Sequence, residues 1–324
     1  MKTSPITLAL AALALAWAPL AGAQAWPSKP IRWIVPYTPA GITDTGTRMV
    51  LQKVQEQTGW NIVVENKPGA NSLIGAGEAA RAAGDGYTFV TVIGAHAANA
   101  TLYAGKIPFD PVKSFAPVSL TMTAPLIMTA TNNLPAKDVK ELVAYAKANP
   151  GKISFGSSGI GAAAHLTTEW FKQLTGTDMV HVPYKGTAPA LQDLMGGNIQ
   201  ILVDTPSSLM PHVKGGKIRA LAMFSSQRLK SFPEVPTMVE AGGPAMESAT
   251  WLLFLAPAAT PRDIVTRMSA EVAKAVNAAD VKPRLEAMGI VPVGSTPEQA
   301  ARFLADEIAK WAKVIQVAGV KVEQ

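Results

Sequence analysis

Three loops carry the residues of this chain that are best suited to bind a small anion. They span residues 37–44, 156–165 and 183–187, and each follows an apolar segment typical of a β-strand. The first loop contains a Pro-Ala-Gly turn and the second a Gly-Ser-Ser-Gly run, and both lead into a predicted helix. The first backbone N–H groups of a helix have no partner inside the helix and attract anions. The sequence therefore predicts sites for a carboxylate that do not require an arginine.

Two serines in the second loop offer a different chemistry. Ser157 or Ser158 would be the nucleophile of an exported hydrolase, with His165 or His181 as the base and Asp204 as the residue that orients it. The loop reads G-S-S-G-I-G, however, and lacks the G-x-S-x-G spacing of a nucleophile elbow. Ser/Gly loops that open helices are more often anion-binding turns or caps. The residues favour binding, and a serine hydrolase stays the alternative.

The sequence predicts no metal site and no cofactor. His96, His165, His181 and His212 form no H-E-x-x-H pair, and none has a second ligand at helical spacing. The chain has no cysteine, which excludes disulfides, thiolate metal sites and cysteine nucleophiles. The glycines of the second loop do not have the G-x-G-x-x-G spacing, and no lysine follows a glycine run as in a P-loop.

Charge and composition exclude a nucleic-acid-binding protein. The 324 residues carry a net charge of +6, from 29 basic and 23 acidic side chains. Charged residues make up only 16% of the chain, so this charge reflects a shortage of acids. Lys and Arg nowhere form a cluster of four, and aromatic residues do not alternate with basic ones. A mild positive field of this kind helps to attract anionic ligands.

The N-terminal segment, residues 1–25, has the pattern of a secretion signal. Lys2 is followed by an apolar stretch over 6–20, and Ala-Gly-Ala or Ala-Gln-Ala offers a small-x-small cleavage site before residue 26. The alternative, a retained membrane anchor, is weaker because a spanning helix needs about 20 apolar residues. We expect cleavage near residue 25 and a periplasmic location in a Gram-negative bacterium.

The rest of the chain alternates short apolar segments with helical segments, which predicts an α/β fold. Residues 110–125 hold several prolines and no helical period, which predicts a connection between domains. The predicted strands are 31–35, 62–65, 87–93, 153–155, 179–182, 199–203, 218–223 and 251–256. The predicted helices are 43–59, 72–83, 138–149, 162–175, 187–195, 261–277, 280–288 and 297–317, with one more short helix capped by Thr237 and Glu240.

This order of elements predicts two lobes, each a mostly parallel sheet flanked by helices. The first lobe would combine residues 26–124 with 251–324, and the second would comprise 125–250. Two chain crossings between the lobes form a hinge, and hinged lobes close around ligands.

Several segments together resemble one known family, the solute receptors of tripartite tricarboxylate transporters, also called Bug proteins. They occur in the family's order over most of the chain after the signal segment. The matching segments are K-P-I-R-W-I-V-P-Y-T-P-A-G-I-T-D (29–44), V-V-E-N-K-P-G-A-N-S-L-I-G (63–75), A-A-G-D-G-Y-T (82–88), H-V-P-Y-K-G-T-A-P-A-L-Q-D-L-M-G-G (181–197) and F-P-E-V-P-T (232–237).

The resemblance implies a two-lobed periplasmic binding protein fold of type II, without enzymatic activity. It also implies delivery of a carboxylate to a membrane permease, and a pocket that holds the carboxylate through main-chain amides and water. Residues of both lobes would share this role. By position they are Pro39, Ala40, Gly41, Thr43 and Asp44 in the first lobe, and Ser157, Ser158, Gly159 and His165 in the second, with Tyr184, Lys185, Gly186 and Asp204 nearby.

Two positions of the first loop depart from the family's pattern. Ala40 stands where glycine is usual, and we expect it to narrow the pocket or make it more apolar. Tyr37 stands where phenylalanine is common. Its ring is partly apolar and its hydroxyl is polar, which suits a longer or aromatic acid.

The sequence as a whole predicts a monomeric solute-binding protein for a small mono- or dicarboxylate, aliphatic or aromatic, held between the lobes. Binding followed by hinge closure would present the closed form to a permease. A ligand sensor for a signalling system would bind the same acids, and the sequence leaves that alternative open.

Overall fold

Strands and helices alternate along residues 26–39 and 42–322, which are the residues that this computed structural model describes. The predicted signal segment and two predicted site residues, Ala40 and Gly41, lie outside them. In chain order the elements are β1 (Ile31–Val35), α1 (Ile42–Thr58), β2 (Ile62–Asn66), a 3₁₀ turn (Ala70–Ser72), α2 (Leu73–Ala80), β3 (Thr88–Val92), α3 (Gly94–Leu102), β4 (Phe115–Pro125), β5 (Ile127–Thr131), α4 (Val139–Ala148), β6 (Ile153–Ser157), α5 (Ala163–Thr175), β7 (Met179–Pro183), α6 (Thr187–Gly196), β8 (Ile201–Asp204), α7 (Pro206–Lys214), β9 (Ile218–Met223), β10 (Ala249–Pro257), α8 (Arg262–Val276), α9 (Lys282–Ala287), β11 (Val291–Pro292) and α10 (Pro297–Ala318).

The first sheet is built around β1, which is buried on both faces. Its strand order is β11-β4-β10-β3-β1-β2, with β1 parallel to β2 and β3, and β10 antiparallel to β3 and β4. Trp33 of β1 stacks on Phe89 with 5.0 Å between ring centroids and meets Phe254 edge-on at 4.6 Å. Helices α1 and α8 cover this face, and α2, α3 and α10 cover the other. Burial on both faces explains why β1 reads as a continuous apolar run.

The second sheet has the strand order β7-β6-β8-β5-β9. Here β6 is parallel to β7 and β8, and β5 lies antiparallel between β8 and β9. Phe155 of β6 packs with Leu142 and Phe171 of α4 and α5, and Leu202 of β8 packs on the opposite side with residues of α6 and α7. Both sheets are mixed, where the pattern predicted mostly parallel ones. The parallel parts are the βα units that precede the three predicted loops.

Two chain segments connect the sheets, and hydrogen bonds join these segments to each other. The chain passes from β4 to β5 at Leu126 and returns from β9 to β10 over residues 224–248. Leu126 N–H donates to Ser248 O at 3.0 Å, and Phe224 N–H donates to Leu126 O at 2.8 Å. The predicted two-lobed α/β fold with two crossings is confirmed. The residue limits of the lobes, at 124/125 and 250/251, stay a prediction.

The predicted connection at 110–125 is wrong for Phe115–Pro125, which is the long strand β4. Its prolines misled the prediction because proline cannot donate to a strand ladder. Pro117 lies opposite Leu255, next to a register shift in the pairing of β4 with β10, and Pro125 is the last residue of the strand. Bulges and strand ends are the positions at which a sheet tolerates proline.

Besides β4, the sequence prediction lacked the helices α3 and α7 and the strands β5 and β11. Helix α3 reads G-A-H-A-A-N-A-T-L, and its small residues give no clear polar face. Strand β5 follows β4 after the single residue Leu126, so no turn signal separates the two strands.

The predicted short helix after Thr237 is wrong. The expected cap bonds form, because Thr237 N–H donates to Glu240 Oε2 at 2.7 Å and Glu240 N–H donates to Thr237 Oγ1 at 3.2 Å. The residues between them form turns. Gly242 follows with a φ of 78°, a conformation that ends a helix.

The C-terminal helix α10 belongs to the first sheet's core but also contacts the second lobe. Trp311 of α10 meets Trp170 of α5 at 6.5 Å, nearly perpendicular, and Gln173 Nε2 of α5 donates to Val314 O at 3.0 Å. None of the helices in the described residues is both long and apolar enough to span a bilayer.

A buried carboxylate fixes α10 on the sheet. Trp251 of β10 and Trp311 of α10 both donate an indole N–H to Glu307 Oε2, each at 2.9 Å. Lys310 forms an ion pair with the other oxygen of this carboxylate, and Glu307 is only 7% exposed. A hydrogen bond to a charged group contributes more than a neutral one, so this cluster stabilises the junction of strand and helix.

We expect Glu307→Ala to lower the free energy of unfolding by about 1–3 kcal/mol, because two buried indole N–H groups lose their acceptor. Glu307→Gln keeps a carbonyl oxygen for them and should lose clearly less. Guanidinium unfolding of the two variants measures the difference as a shift in midpoint at constant slope. Equal losses in both variants would show that the indole bonds do not carry the stability.

Candidate ligand-binding site

The first-lobe loop is held in place by Asp44, one of the predicted site residues. Asn66 Nδ2 donates to Tyr37 O at 3.0 Å and to Asp44 Oδ1 at 2.9 Å, and Arg48 Nε donates to the same Asp44 oxygen at 2.8 Å. The Asp44 side chain is almost fully buried. Its negative charge is therefore balanced by Arg48, and its bonds anchor the loop between β1 and α1. Of the neighbouring predicted residues, Thr43 is buried and Pro39 is exposed.

Two buried hydroxyl groups lie beneath this loop. Among the described residues, neither Tyr37 Oη nor Ser72 Oγ has a hydrogen-bond partner of good geometry. Burial raises the pKa of Tyr37 well above its usual range, and the nearby Ser72 hydroxyl opposes that rise only in part. The phenol is thus neutral. A buried hydroxyl without a partner is costly, so this pair marks a place where a further polar group would be stabilised.

The turn that carries Ser72 has a strained backbone. Ala70, Asn71 and Ser72 have φ values of 45°, 49° and 75°, the left-handed region that costs a residue other than glycine about 1–2 kcal/mol. Helix α3 holds the turn, because Asn71 Nδ2 donates to Asn99 Oδ1 and Asn99 Nδ2 donates to Asn71 O, each at 2.8 Å. Strain of this kind concentrates at functional sites. Sequence reasoning missed Asn71, Ser72 and Asn99, although the first two lie in a segment that carries the family resemblance.

The second-lobe loop is built around two stacked imidazoles. The rings of His165 and His181 are 3.7 Å apart between centroids and 11° from parallel. His181 Nε2 lies 2.7 Å from Ser157 Oγ, and Gly161 N–H donates to His165 Nδ1 at 3.1 Å. Burial and, to a smaller extent, the charge of Lys172 lower the pKa of His165 to about 3 and that of His181 to about 4, and the neighbouring His181 contributes to the lowering at His165. Both rings are therefore uncharged at neutral pH.

The third loop is joined to the second by backbone hydrogen bonds. Tyr184 N–H donates to Ser157 O at 3.0 Å, and Gly186 N–H donates to Ser158 O at 3.2 Å. The Tyr184 hydroxyl donates to Asp193 Oδ2 at 2.5 Å, and burial raises its pKa to about 12. Ser158 and Gly159 are partly exposed and Lys185 is exposed, so these three predicted residues are accessible from solvent.

Asp204 is engaged at the start of α6 and α7. Its carboxylate accepts hydrogen bonds from Thr187 Oγ1 at 2.6 Å and from Thr205 N–H at 2.7 Å. Burial raises the pKa of Asp204 above its usual range, and these two bonds oppose the rise. Within the described residues its bonds go to the two threonines and to neither His165 nor His181. The arrangement of nucleophile, base and orienting acid that a hydrolase requires is therefore not formed, and Ser157 is fully buried.

The second loop meets the first lobe at the Ala70–Ser72 turn and at α3. A Cβ built on Gly161 would lie 2.6 Å from Leu102 Cδ1 and 3.9 Å from Asn71 Nδ2, both in the first lobe. Gly161 is also bonded to His165, which stacks on His181 and so connects to Ser157. The structure thus joins the second predicted loop to the Ala70–Ser72 turn and to α3 of the first lobe. Both of these first-lobe elements lie outside the first predicted loop, residues 37–44.

The N-termini of α3 and α5 approach each other at the same junction. A Cβ built on Gly94, the first residue of α3, would lie 3.8 Å from the Cβ of Ala163, the first residue of α5. Neither helix has a side-chain cap, since the capping positions are Ile93 and Ala162. No side chain therefore caps these N–H groups, and in the first turn of α3 the His96 N–H donates to Ile93 O at 2.8 Å.

A cavity of about 740 Å³ lies elsewhere and shares no residue with the predicted site. It borders the return crossing, and its charged pair Arg228 and Glu240 is satisfied at 2.9 Å. Of the buried hydroxyls that have no partner in the described residues, none lines this cavity. The contact region between the second loop and the first lobe, where two helix N-termini meet, is therefore the stronger candidate for a ligand site. The lining residues of the cavity are Trp170, Ser225, Ser226, Gln227, Arg228, Thr237, Val239, Glu240, Ala245, Met246 and Glu247.

Comparison with known proteins identifies the family. The model of the tripartite tricarboxylate transporter family receptor matches residues 47–320. The chain belongs to this family. Protein BugT of Bordetella pertussis is 35% identical over 306 residues, which are 93% of this chain and 93% of BugT.

Two solved structures resemble this chain over nearly their whole length. Rpa4515 of R. palustris with adipate has a TM-score of 0.82 and 34% identity, over 91% of this chain and 99% of that one. MatC (Rpa3494) of Rhodopseudomonas palustris with bound malate has a TM-score of 0.77 and 31% identity, over 90% and 100%. The family and its structural neighbours are solute-binding proteins and not enzymes, which excludes the serine hydrolase alternative.

The contact between Gly161 and Leu102 can be tested by stability alone. Gly161→Ala places a Cβ at a φ of 78° and against the end of the Leu102 side chain, so we expect it to lose about 0.5–1.5 kcal/mol more than Gly176→Ala, the cost of turning that side chain aside. Gly176 is the matched control, because its φ of 62° imposes similar strain and a Cβ there would touch nothing within 4 Å. Guanidinium unfolding measures both losses.

Leu102→Ala should recover part of the Gly161→Ala loss when the two changes are combined, because it removes the colliding methyl group. Residues in contact show such coupling in a double-mutant cycle, and distant residues do not. Strict additivity would mean that the lobes do not touch at this point in solution.

Proposed function

We propose that this chain is a periplasmic receptor that binds a small mono- or dicarboxylate between its lobes. Residues 1–25 are removed on export, and the mature protein acts as a monomer. The closed, loaded form docks on the membrane permease of a tripartite tricarboxylate-type transporter. Membership of the receptor family supports this proposal, because receptors of this family are periplasmic and serve transporters.

The observation that carries the proposal is the approach of two uncapped helix N-termini from opposite lobes. Each N-terminus bears roughly half a positive charge, so α3 and α5 repel each other where Gly94 nears Ala163. An anion between them replaces this repulsion with two attractions. A carboxylate therefore favours closure, whereas a neutral ligand leaves the repulsion in place.

The hydroxyls of Tyr37 and Ser72 support a ligand with several oxygen atoms. They are buried without a partner in the described residues, close to the turn that contacts Gly161. A carboxylate or hydroxyl oxygen of the ligand, or a water that it holds, would satisfy them. Hydrogen bonds to a charged group contribute about 1.5–3 kcal/mol each.

The charges around the loops favour the same conclusion. Asp44 is paired with Arg48, and Asp204 is bound by Thr187 and Thr205. The two stacked histidines are neutral. The charge of Asp44 is therefore balanced by a cation, and the Asp204 carboxylate is engaged by two neutral donors of the second lobe.

The choice among carboxylates follows from the relatives and from Tyr37. Rpa4515 was solved with adipate and MatC with malate, so aliphatic dicarboxylates are the first candidates for this chain. Because Tyr37 offers an aromatic ring, an aromatic acid belongs among the candidate ligands as well. Micromolar affinity corresponds to about −8 kcal/mol, which several charge-assisted hydrogen bonds and cleft burial supply.

A thermal-shift screen at pH 7.5 against adipate, malate and benzoate, with adipamide as the matched uncharged control, tests the proposal. At a ligand concentration of 100 times Kd the stabilisation is about 2.7 kcal/mol. We expect at least one acid to raise the melting temperature by several degrees and adipamide to have no effect. An unchanged melting temperature with every acid, or an equal shift with adipamide, would contradict the proposal.

A further inference from the structure

Two neutral imidazoles support the loop through which the second lobe reaches the first. His165 and His181 stack at 3.7 Å, and each has one ring nitrogen bonded to that loop. His181 Nε2 meets Ser157 Oγ at 2.7 Å, and His165 Nδ1 meets Gly161 N at 3.1 Å. The loop ends at Gly161, whose Cα lies against Leu102 of the first lobe.

The bond to His165 defines its protonation state. A backbone N–H can only donate, so His165 Nδ1 must accept and cannot carry a proton. A proton on this nitrogen would set two donors against each other and break the bond to Gly161. The bond of His181 is different, because Ser157 Oγ can accept from it while donating to Gly159 O at 3.1 Å. His165 is thus the ring whose charge state controls the loop.

Few other charged groups face this pair. Helix α5 contributes Lys172, which is paired with Glu169 at 2.9 Å and lies over the Phe155 ring beneath the histidines. From the first lobe, the turn and α3 contribute Asn71 and Leu102, which do not titrate. On the side of β7 and α6 the titratable groups are Tyr184 and Asp193, which are bonded to each other, and the exposed Lys185. In the part of the chain that the structure describes, no acid contacts either ring to stabilise an imidazolium.

We propose that His165 and His181 are positioning residues, which hold the 157–161 loop in its ligand-binding position only while His165 is uncharged. The receptor therefore releases its acid as the pH falls. This inference rests on the proposed function, since it concerns the affinity for the same carboxylate.

The sign of the effect follows from linkage. In the arrangement seen here, burial, the neighbouring His181 and Lys172 together lower the pKa of His165 to about 3. On this proposal the 157–161 loop loosens when the acid leaves, so that the bond to Gly161 breaks and the pKa of the ring returns towards 6.5. The loaded form then binds fewer protons than the free form. The affinity for the acid is therefore highest above pH 6.5 and falls as the pH drops below that value. Between pH 7.5 and 5.5 the dissociation constant rises by up to about tenfold.

The test is isothermal titration of adipate into the full mature protein at pH 7.5, 6.5 and 5.5. Malate replaces adipate if it gives the larger shift in the thermal screen. His165→Asn is the informative variant, because the Asn amide oxygen takes the place of Nδ1 as acceptor and does not titrate. Its own affinity at pH 7.5 is the reference against which its affinity at lower pH is compared. From pH 7.5 to 5.5 the affinity of this variant for the acid should fall less than threefold, whereas the affinity of the parent chain falls about tenfold.

His96→Gln is the matched control. His96 is also buried with a pKa lowered to about 4, but its Nε2 bonds to Pro111 O at 2.8 Å and its ring faces Phe109 and Phe115. Glutamine keeps a donor for that carbonyl. We expect this variant to show the pH dependence of the parent chain, because the 157–161 loop is not involved.

A second readout uses the parent chain alone, so the test stands even if His165→Asn does not fold. At pH 5.5, titrations in two buffers of different ionisation enthalpy should show release of close to one proton on binding. NMR should show a neutral His165 ring in the complex. The same pH dependence in His165→Asn and parent, or a charged His165 in the complex, would overturn the inference and leave carboxylate binding intact. Failure of every acid to bind at pH 7.5 would instead overturn the proposed function itself.

Discussion

The first turns of α3 and α5 come together from opposite lobes without a side-chain cap on either helix. Each of these helices follows a strand of its own sheet, so the sheets fix where the two positive ends lie. In the proposed function, closure brings these like partial charges together, and an anionic ligand between the lobes removes the conflict. Ligand charge is then coupled to lobe position through backbone N–H groups.

Helix α5 connects this electrostatic junction to the hinge. Its first residue faces α3, its middle residue Thr167 bonds to Ser248 in the return crossing at 2.6 Å, and Gln173 reaches α10. Leu166 on the same face is buried in the core of the first lobe. One helix of the second lobe thus contacts the first lobe along its length. The same helix thus contacts the return crossing and α10, and Glu307 bonds α10 to the first sheet.

The sequence predicted the parts of this structure that depend on local pattern, and it missed those that depend on contacts between distant segments. Strand β1 was predicted with its correct bounds, and most helices within a few residues, because an apolar run followed by glycine and a helix is a local signal. The pairing of Asn71 with Asn99 joins residues 28 positions apart and leaves no local trace. The sequence also could not show that Asp44 is bound to Arg48 and Asn66, or that Asp204 is bound to two threonines. The direction in which a carboxylate points is fixed by tertiary packing, which one sequence does not reveal.

The most direct measurement of the central claim is a crystal structure of the mature protein with adipate, or with the acid that binds best. We expect a carboxylate group between the lobes. Its oxygens should lie about 2.7–3.2 Å from main-chain nitrogens of both lobes, at the start of α3 or in the Ala70–Ser72 turn on one side and at the start of α5 on the other. An acid bound by one lobe only, or in the cavity beside residues 225–228 and 245–247, would contradict the central claim.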